Sequence, residues 1–490
     1  MTRIYTIATF FTLAFWACAE RQPSLPPKDF GFIAGIEDRS RLEYGYLQVP
    51  ENHDEPEGSQ IEIAWAIIKA KVPQAGKLPI IFLTGGPGGE TLPLIPFMLD
   101  FPLTAERDVI LFDQRGIGYS SPLPDFGEGL VGLLAADLSP EAEERRLNAL
   151  LKEYREKAAQ QGIQLQHYNT FQNARDIGRL MEELPYEQYC ILGVSYGTRL
   201  ARLVMDYFSG QIASVVLDSP SPFEDNFIEP RLESFAGALR LVLEHCENEP
   251  SCRAAYPNLR QKYLKGVAAL SQNPIQVALD SFVFHVNAQD AIYLLRYQLY
   301  RGDALEGVPP FIQAIHGRDE ALLKQRISAV MPIMADGNYS LFLSTERYEH
   351  YNPRIGRAEL QSLSGRLELF PAPLAFFTSL YLAAGDWHEG QAAPEQKSFR
   401  PSEIPAMIFV NQFDPVTPPE NGRLMLEQLP KGRLFILDEG GHGEGNFECK
   451  LAVIQAFFDA SFDELDAACL RAVEMRQGGQ VPPSPAAALQ

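Results

Sequence analysis

The stretch Gly193-Val194-Ser195-Tyr196-Gly197 decides how this sequence folds. An apolar run at residues 189–194 predicts a buried strand before it, and apolar positions 200, 203, 204 and 207 follow at helical spacing. A serine on so sharp a strand-to-helix turn has strained backbone angles, so its neighbours two positions away must be very small. The pattern therefore predicts that Ser195 stands exposed at a helix start as a nucleophile. The alternative is a tight turn with an incidental serine.

Short apolar runs alternate with helical patterns on both sides of this turn, which is typical of a largely parallel sheet. Strands are predicted at residues 61–68, 78–83, 108–112, 189–194, 213–217, 404–411 and 433–437. Helical periodicity dominates from about residue 226 to 399. The simplest organisation is an α/β core at 40–220 and 401–475, interrupted by a mainly helical insertion at 221–400. A tail at 476–490, rich in Pro, Gly and Ala, is predicted to be disordered.

A serine hydroxyl is a weak nucleophile until a base removes its proton, and that base needs an orienting carboxylate. In sheets that carry this turn, the chain order is serine, acid, histidine. Asp414 follows the strand at 404–411, and His442 lies in Gly440-Gly441-His442-Gly443 after the strand at 433–437. We therefore predict His442 as the general base and Asp414 as its acid, with Asp438 as the alternative acid.

Two further loops follow predicted strands. Thr84-Gly85-Gly86-Pro87-Gly88-Gly89 lacks the G-K-[ST] that completes a nucleotide-binding loop. Its glycines allow backbone N–H groups to approach an acyl oxygen, so we predict an oxyanion hole formed by Gly86 and Tyr196, with Gly85 as the alternative donor. The other loop runs from Asp113 to Ser120, and its Asp/Arg pair and glycines indicate a supporting turn beneath the site.

Composition excludes some classes of protein. The 490 residues include 42 Lys+Arg and 63 Asp+Glu, which gives a formal net charge of −21. Such a charge argues against a nucleic-acid partner and is compatible with the cationic amino end of a peptide. Cys and His residues show no zinc-ligand spacing, so neither a metal site nor another cofactor is predicted.

The N-terminus reads as a secretory signal over residues 1–19. Arg3 precedes an apolar run at 4–16, which is too short to span a bilayer, and Ala17-Cys18-Ala19 follows. Either a signal peptidase cleaves after Ala19, or Cys18 ends a lipobox and carries a lipid anchor. Both readings predict export: the protein is periplasmic or outer-membrane-anchored in a bacterium, or secreted.

The remaining cysteines agree with export. Cys246/Cys252 and Cys449/Cys469 are natural local pairs, and Cys190 is a buried thiol in a strand. The sequence alone leaves the disulfide connectivity open.

The sequence resembles the prolyl-aminopeptidase-like branch of the α/β-hydrolases. The resemblance rests on the Gly85–Gly89 and Asp113–Ser120 loops, on the strand-to-helix turn Gly193–Gly197, which we call the elbow, and on the Asp414 and His442 loops. That branch includes proline iminopeptidases and tripeptidyl aminopeptidases. The resemblance spans about residues 45–470 and implies an α/β-hydrolase fold with a large helical cap. It implies the same roles for Ser195, His442 and Asp414. Cys449 and Cys469 also resemble a disulfide in the C-terminal segment of the tripeptidyl aminopeptidase type.

Two departures concern specificity. Proline iminopeptidases usually carry histidine where this chain has Thr84, and two cap cysteines of the tripeptidyl type are missing. Related enzymes commonly bind the substrate α-amino group through cap carboxylates, and Glu346 is the candidate here. The predicted function is an exported serine aminopeptidase for short peptides with a free N-terminus. The alternatives are a carboxylesterase or lactonase with the same triad, and an inactive binding protein, which the competent catalytic residues disfavour.

Overall fold

The computed structural model of the chain describes residues 30–477 except for 336, 439, 444–446, 461 and 463–464. The predicted signal peptide with Cys18 and the predicted tail beyond residue 477 lie outside the described residues. None of the helices in this part of the chain is long and apolar enough to cross a membrane.

The strands of the protein form one large sheet and one hairpin. They are β1 (Leu42–Pro50), β2 (Gln60–Ile68), β3 (Ile80–Leu83), β4 (Val109–Phe112), β5 (Tyr189–Val194), β6 (Ile212–Asp218), β7 (Ile275–Ala278), β8 (Val283–Val286), β9 (Ala406–Asn411), β10 (Gly432–Leu437) and β11 (Ala472–Arg476). The large sheet has the order β1-β2-β4-β3-β5-β6-β9-β10-β11. From β4 to β10 in that order, all neighbours are parallel. The loops after β5, β9 and β10 therefore leave the sheet at the same edge.

All seven strands predicted from the sequence are present, and β1, β7, β8 and β11 are additional. β1 and β11 are the outer strands of the sheet, and each buries only a few of its residues. A strand that buries so little has a weak hydrophobic pattern, which explains why these strands were not predicted. Arg476, which was assigned to the tail, instead pairs with Arg433 in the sheet.

Helices cover both faces of the sheet and form the cap. They are α1 (Ile95–Met98), α2 (Gly127–Ala135), α3 (Pro140–Gln160), α4 (Thr170–Glu183), α5 (Tyr196–Tyr207), α6 (Glu229–Asn248), α7 (Pro250–Ala255), α8 (Leu259–Leu270), α9 (Ala288–Tyr300), α10 (Ala304–Gly317), α11 (Glu320–Ala335), α12 (Tyr339–His350), α13 (Arg357–Arg366), α14 (Ala375–Ala384), α15 (Pro419–Leu426) and α16 (Phe447–Ala460). α6 to α14 and the β7–β8 hairpin lie within the predicted insertion, which is mainly helical as expected.

Two helices that precede Ser195 in the chain, α2 and α3, also pack on the helices of the cap. Leu134 of α2 and Leu147 of α3 belong to the same buried cluster as Leu239 of α6 and Tyr381 of α14. The sequence analysis placed the residues of α2 and α3 in the core at 40–220. Their apolar faces pack on the inserted helices, a long-range contact that local periodicity does not report.

Disulfides join Cys246 to Cys252 in the cap and Cys449 to Cys469 in the core, which are the local pairs expected from the sequence. Cys190 is a free, buried thiol in β5, also as expected. The second disulfide ties α16 to the segment that leads into β11, close to the end of the described chain.

Candidate active site

Ser195 occupies the turn between β5 and α5 with φ 54° and ψ −124°, a strained conformation for a residue with a side chain. Both flanking glycines are required by contact. A Cβ on Gly193 would lie 2.6 Å from the carbonyl oxygen of Gly197, and a Cβ on Gly197 would lie 2.1 Å from that of Leu83. Glycine is therefore needed at 193 within the turn and at 197 where the turn packs against β3, in agreement with the small neighbours predicted from the sequence.

His442 lies between Ser195 and Asp414. Its Nε2 is 2.8 Å from Ser195 Oγ, and its Nδ1 is 2.8 Å from Asp414 Oδ2. A carboxylate only accepts hydrogen bonds, so Nδ1 donates to Asp414 and Nε2 is left to accept from the serine hydroxyl. The structure thus brings the three predicted residues together in one hydrogen-bonded chain.

Asp414 is held by its own loop. Val416 N and Thr417 N donate to Oδ1 at 2.8 and 2.9 Å, and Thr417 Oγ1 donates to Oδ2 at 2.7 Å. Burial raises the pKa of Asp414, but the neighbouring His442 and the Thr417 hydrogen bonds outweigh burial and hold the pKa below its usual range. Asp438, the alternative acid, is exposed and makes no hydrogen bond to His442.

The His442 loop is fixed from two sides. On the cap side, His442 N donates to Tyr300 O at 2.9 Å, and the Tyr300 ring centroid lies 5.0 Å from that of the imidazole. On the core side, Lys450 Nζ donates to Gly443 O at 2.9 Å and to Asp218 Oδ2 at 2.7 Å. Sequence reasoning did not find the buried Asp218–Lys450 pair, because no local pattern joins residues so far apart.

Gly86 and Tyr196, the predicted oxyanion donors, both line the cavity above Ser195. Tyr196 is the first residue of α5, where backbone N–H groups have no intrahelical acceptor. Gly85 packs closest to the serine, since a Cβ there would lie 2.9 Å from Ser195 Cβ. The donor roles of these residues, and the choice between Gly86 and Gly85, stay predictions.

The loop at residues 113–120 supports the site differently from the prediction. Asp113 and Arg115 do not pair with each other. Asp113 accepts from the backbone N–H groups of residues 91, 92 and 119, whereas Arg115 forms a bidentate pair with Asp176 at 2.7 and 2.8 Å. Asp113 thereby anchors the chain that follows the glycine-rich loop.

A cavity of about 350 Å³ opens above Ser195 between the core and the cap. Aromatic side chains of α9, α12 and α14 form much of its wall, among them Tyr297, Tyr300, Phe342 and Phe377. Its charged lining residues are Arg199, Glu224, Arg231, Arg296 and Glu346. Within the described residues no cluster of His, Cys, Asp or Glu is suited to hold a metal ion.

Glu346, the predicted amine ligand, lines this cavity but is fully buried and already pairs with cationic side chains. Its Oε2 lies 2.9 Å from Arg231 Nη2 and 2.8 Å from His350 Nδ1, and its Oε1 lies 3.7 Å from Arg199 Nη1. Burial raises the pKa of Glu346, but Arg231 and His350 reverse the shift and leave this pKa well below its usual range. The geometry therefore favours a structural ion pair over an amine site at this residue.

Glu224 is the cavity carboxylate that sequence reasoning missed. It lies on the loop between β6 and α6, is partly exposed, and forms no hydrogen bond or salt bridge through its carboxylate in the described part of the chain. Burial raises its pKa to about 7, although Arg231 and Arg199 act in the opposite direction. Its neighbours Pro222 and Phe223 gave no functional signal, so only the fold identifies it.

A serine elbow after a central parallel strand, with an acid and a histidine on later strand ends beneath a helical cap, is the architecture of the α/β-hydrolases. Residues 79–263 match the alpha/beta hydrolase fold family, and residues 376–469 match the TAP-like protein family. The chain has the α/β-hydrolase fold and carries a TAP-like C-terminal segment, which confirms the resemblance inferred from its motifs.

Individual relatives match part of the chain. The tripeptidyl aminopeptidase of Streptomyces lividans is 31% identical over 188 residues, which are 36% of this chain and 35% of that protein. Carboxylesterase B of Mycobacterium tuberculosis is 28% identical over 95 residues, 19% of this chain and 18% of that protein. The chain thus matches about a third or less of the length of these relatives. The solved proline iminopeptidase of Mycobacterium smegmatis is 15% identical with a TM-score of 0.43, covering 85% of this chain and 98% of that one.

Proposed function

We propose that the protein is a serine hydrolase that acts as an aminopeptidase on short peptides. The observation that carries the proposal is the hydrogen-bonded chain from Ser195 through His442 to Asp414, with both distances at 2.8 Å, at the floor of a capped cavity. A cavity of about 350 Å³ suits a short peptide segment better than a folded protein.

The geometry supports a two-step acyl transfer. Ser195 Oγ attacks the scissile carbonyl carbon while its proton passes to His442 Nε2, and the N–H groups of Tyr196 and Gly86 stabilise the oxyanion. His442 then gives the proton to the leaving amine, and the C–N bond breaks. Water then attacks the acyl carbon while its proton passes to His442. The bond between that carbon and Ser195 Oγ breaks, and His442 returns the proton to Oγ. Asp414 stabilises the imidazolium in both steps.

Recognition of the substrate amine is assigned to Glu224. An ammonium group needs an acceptor with negative charge and free lone pairs, and Glu224 is the cavity carboxylate that has no hydrogen-bonded partner among the described residues. Glu346 already forms ion pairs with Arg231 and Arg199, so its role is structural instead.

The experiment that tests the proposal combines labelling with substrate comparison. A fluorophosphonate should modify Ser195, as mapped by peptide mass. Aminoacyl and peptidyl amides with a free N-terminus should turn over faster than the same compounds with a blocked N-terminus. Equal turnover of the two sets would argue against an aminopeptidase, and modification of another residue would argue against the mechanism.

A carboxylesterase or lactonase is the second candidate function. The aromatic wall of the cavity, with Tyr297, Phe342 and Phe377, also suits an apolar acyl group. The partial likeness of the chain to a carboxylesterase supports the same candidate. Hydrolysis of short acyl esters without any hydrolysis of peptides would favour this candidate.

Export is part of the proposal. Two disulfides within the described residues support an oxidising compartment. Expression of the full chain with radiolabelled palmitate, beside a Cys18→Ala variant, tests both signal readings. Label lost in the variant would indicate a lipid anchor at Cys18, whereas an unlabelled, shortened and exported protein would indicate ordinary signal cleavage. An uncleaved cytoplasmic protein would contradict export.

A further inference from the structure

Arg296 lies in the cap wall of the cavity, on α9 and one helical turn before Tyr300. The Tyr300 ring in turn lies against the imidazole of His442. Only 9% of the Arg296 surface is exposed. A positive charge is thus buried one aromatic ring away from the reacting groups.

The contacts of Arg296 are mostly aromatic. Its guanidinium carbon lies 5.2 Å from the Tyr300 ring centroid and 5.9 Å from that of Phe377. Among the described residues its one hydrogen bond is a long one, from Nη2 to the Tyr300 hydroxyl at 3.5 Å. Its Nε is buried and has no hydrogen-bond partner in the part of the chain that the structure describes. No carboxylate among the described residues forms a salt bridge with it.

The other two cavity arginines are paired. Arg199 Nη1 lies 2.9 Å from Glu349 Oε2, and Arg231 Nη2 lies 2.9 Å from Glu346 Oε2. Once these pairs are formed, Glu224 and Arg296 remain as one anion and one cation of the cavity that form no salt bridge with any described residue. A buried guanidinium without an anion is unfavourable, and aromatic contacts offset only part of that cost.

An arginine side chain presents its N–H groups in a planar fork, which matches a carboxylate. We propose that Arg296 binds a carboxylate of the substrate, so that preferred substrates are short peptides carrying a negative charge close to the cleaved bond. This inference rests on the proposed peptidase function. The carboxylate has two sources, the C-terminus of a very short peptide or an acidic side chain, and substrate pairs distinguish them.

The test measures binding separately from turnover. Calorimetry with the Ser195→Ala full chain compares a tripeptide with its C-terminal amide, and a glutamate-containing peptide amide with its glutamine counterpart. The carboxylate member of at least one pair should bind ~10- to 100-fold more tightly, as expected for charge-assisted hydrogen bonds. The pair that shows this preference identifies the source of the carboxylate.

Variants assign the preference to Arg296. Arg296→Gln should make the two members of the responding pair bind equally, and Arg296→Lys should retain part of the preference. Arg347→Gln is the matched control, because Arg347 is 8% exposed and lies 4.7 Å from the Tyr351 ring in the cap but does not line the cavity. This control should keep the full preference.

Equal binding within both pairs by the chain that retains Arg296 would overturn the inference, and this result needs no Arg296 variant to fold. A preference that survives in Arg296→Gln would overturn it as well. A binding preference for the carboxylate without any peptide cleavage by the wild-type chain would refute the proposed function and leave the carboxylate subsite standing. Cleavage of neutral peptides without a preference would do the reverse.

Discussion

The catalytic groups on the core wall of the cavity and two charged groups on its cap wall, Glu224 and Arg296, differ in how they are partnered. On the core wall, the Asp414 carboxylate accepts hydrogen bonds from Val416, Thr417 and His442, and His442 joins it to Ser195. On the cap wall, the carboxylate of Glu224 has no hydrogen-bonded partner in the described chain, and Arg296 has one long hydrogen bond.

Under the proposed function, the core wall carries out the chemistry and the cap wall selects the substrate. Groups that are fully partnered before substrate arrives are fixed in place, as stabilisation of a transition state requires. Groups that lack partners gain them only from a substrate of matching charge, and they disfavour a substrate that leaves them buried and unpaired. Changes on the core wall should therefore lower kcat for every substrate, whereas changes on the cap wall should raise KM for particular substrates.

The largest effect is expected for Ser195→Ala. Loss of the nucleophile should lower kcat by ~10³- to 10⁶-fold for peptides and esters alike. Initial rates on both substrate classes measure the loss, with Ser209→Ala as a control on an exposed serine just after α5. Near-normal turnover by Ser195→Ala, on either class, would remove this residue from the chemistry.

The next prediction concerns the support of the core wall. Lys450 and Asp218 are 4% and 5% exposed, and Lys450 also binds the backbone of the His442 loop. Lys450→Met leaves the Asp218 carboxylate buried and unpaired, so the free energy of unfolding should fall by about 3–5 kcal/mol. Urea unfolding measures it. Adding Asp218→Asn should restore part of the loss, and a stability equal to that of the wild type in the single variant would contradict the role of the pair.

The core wall was predictable because its residues lie in local patterns. Gly193 and Gly197 flank Ser195 in one short motif, and Asp414 and His442 each follow an apolar run that folds as a parallel strand. Once the sheet is parallel, topology brings the strand ends together, and the strand order need not be known in advance. The disulfides were equally local.

The cap wall was not predictable for the opposite reason. Glu224 and Arg296 are isolated charged residues that belong to no sequence motif. Only the fold shows that both line the cavity and that neither forms a salt bridge with a described residue. Glu346 looked suitable in the sequence, but Arg231 and His350 reach it from α6 and from its own helix. Long-range packing also places the apolar faces of α2 and α3 on the inserted helices.

A smaller effect, confined to KM, is expected for Glu224→Gln. Loss of the charged acceptor should raise KM for substrates with a free N-terminus by ~10- to 100-fold and leave blocked esters unaffected. In the wild type the pKa of Glu224 is about 7, so the carboxylate is charged above that pH and neutral below it. Between pH 7 and pH 5 the substrate α-amino group, with a pKa of about 7.7–8.0, stays mostly protonated. The preference for free-amino substrates should therefore weaken as the pH falls from 7 to 5.

Steady-state kinetics over this pH range, expressed as the ratio of kcat/KM for free-amino and blocked substrates, cancels any pH dependence that the two substrates share. The ratio should not vary with pH in Glu224→Gln. Glu346→Gln is the matched comparison, since it should destabilise the cap by leaving Arg231 short of a counter-charge without removing the pH dependence. A pH-dependent ratio that disappears in Glu346→Gln and persists in Glu224→Gln would reverse the assignment.

The smallest effect is expected for Thr417, which supports Asp414 on the core wall. Thr417→Val keeps the size of the side chain but removes the hydroxyl that donates to Asp414 Oδ2 at 2.7 Å. Loss of one hydrogen bond to the carboxylate should cost about 0.5–1.5 kcal/mol, or a ~2- to 10-fold decrease in kcat. KM should not change, and Thr417→Ser should restore kcat. If Thr417→Val instead raised KM for free-amino substrates alone, as Glu224→Gln is expected to do, the division of the cavity into a chemical wall and a selective wall would be wrong.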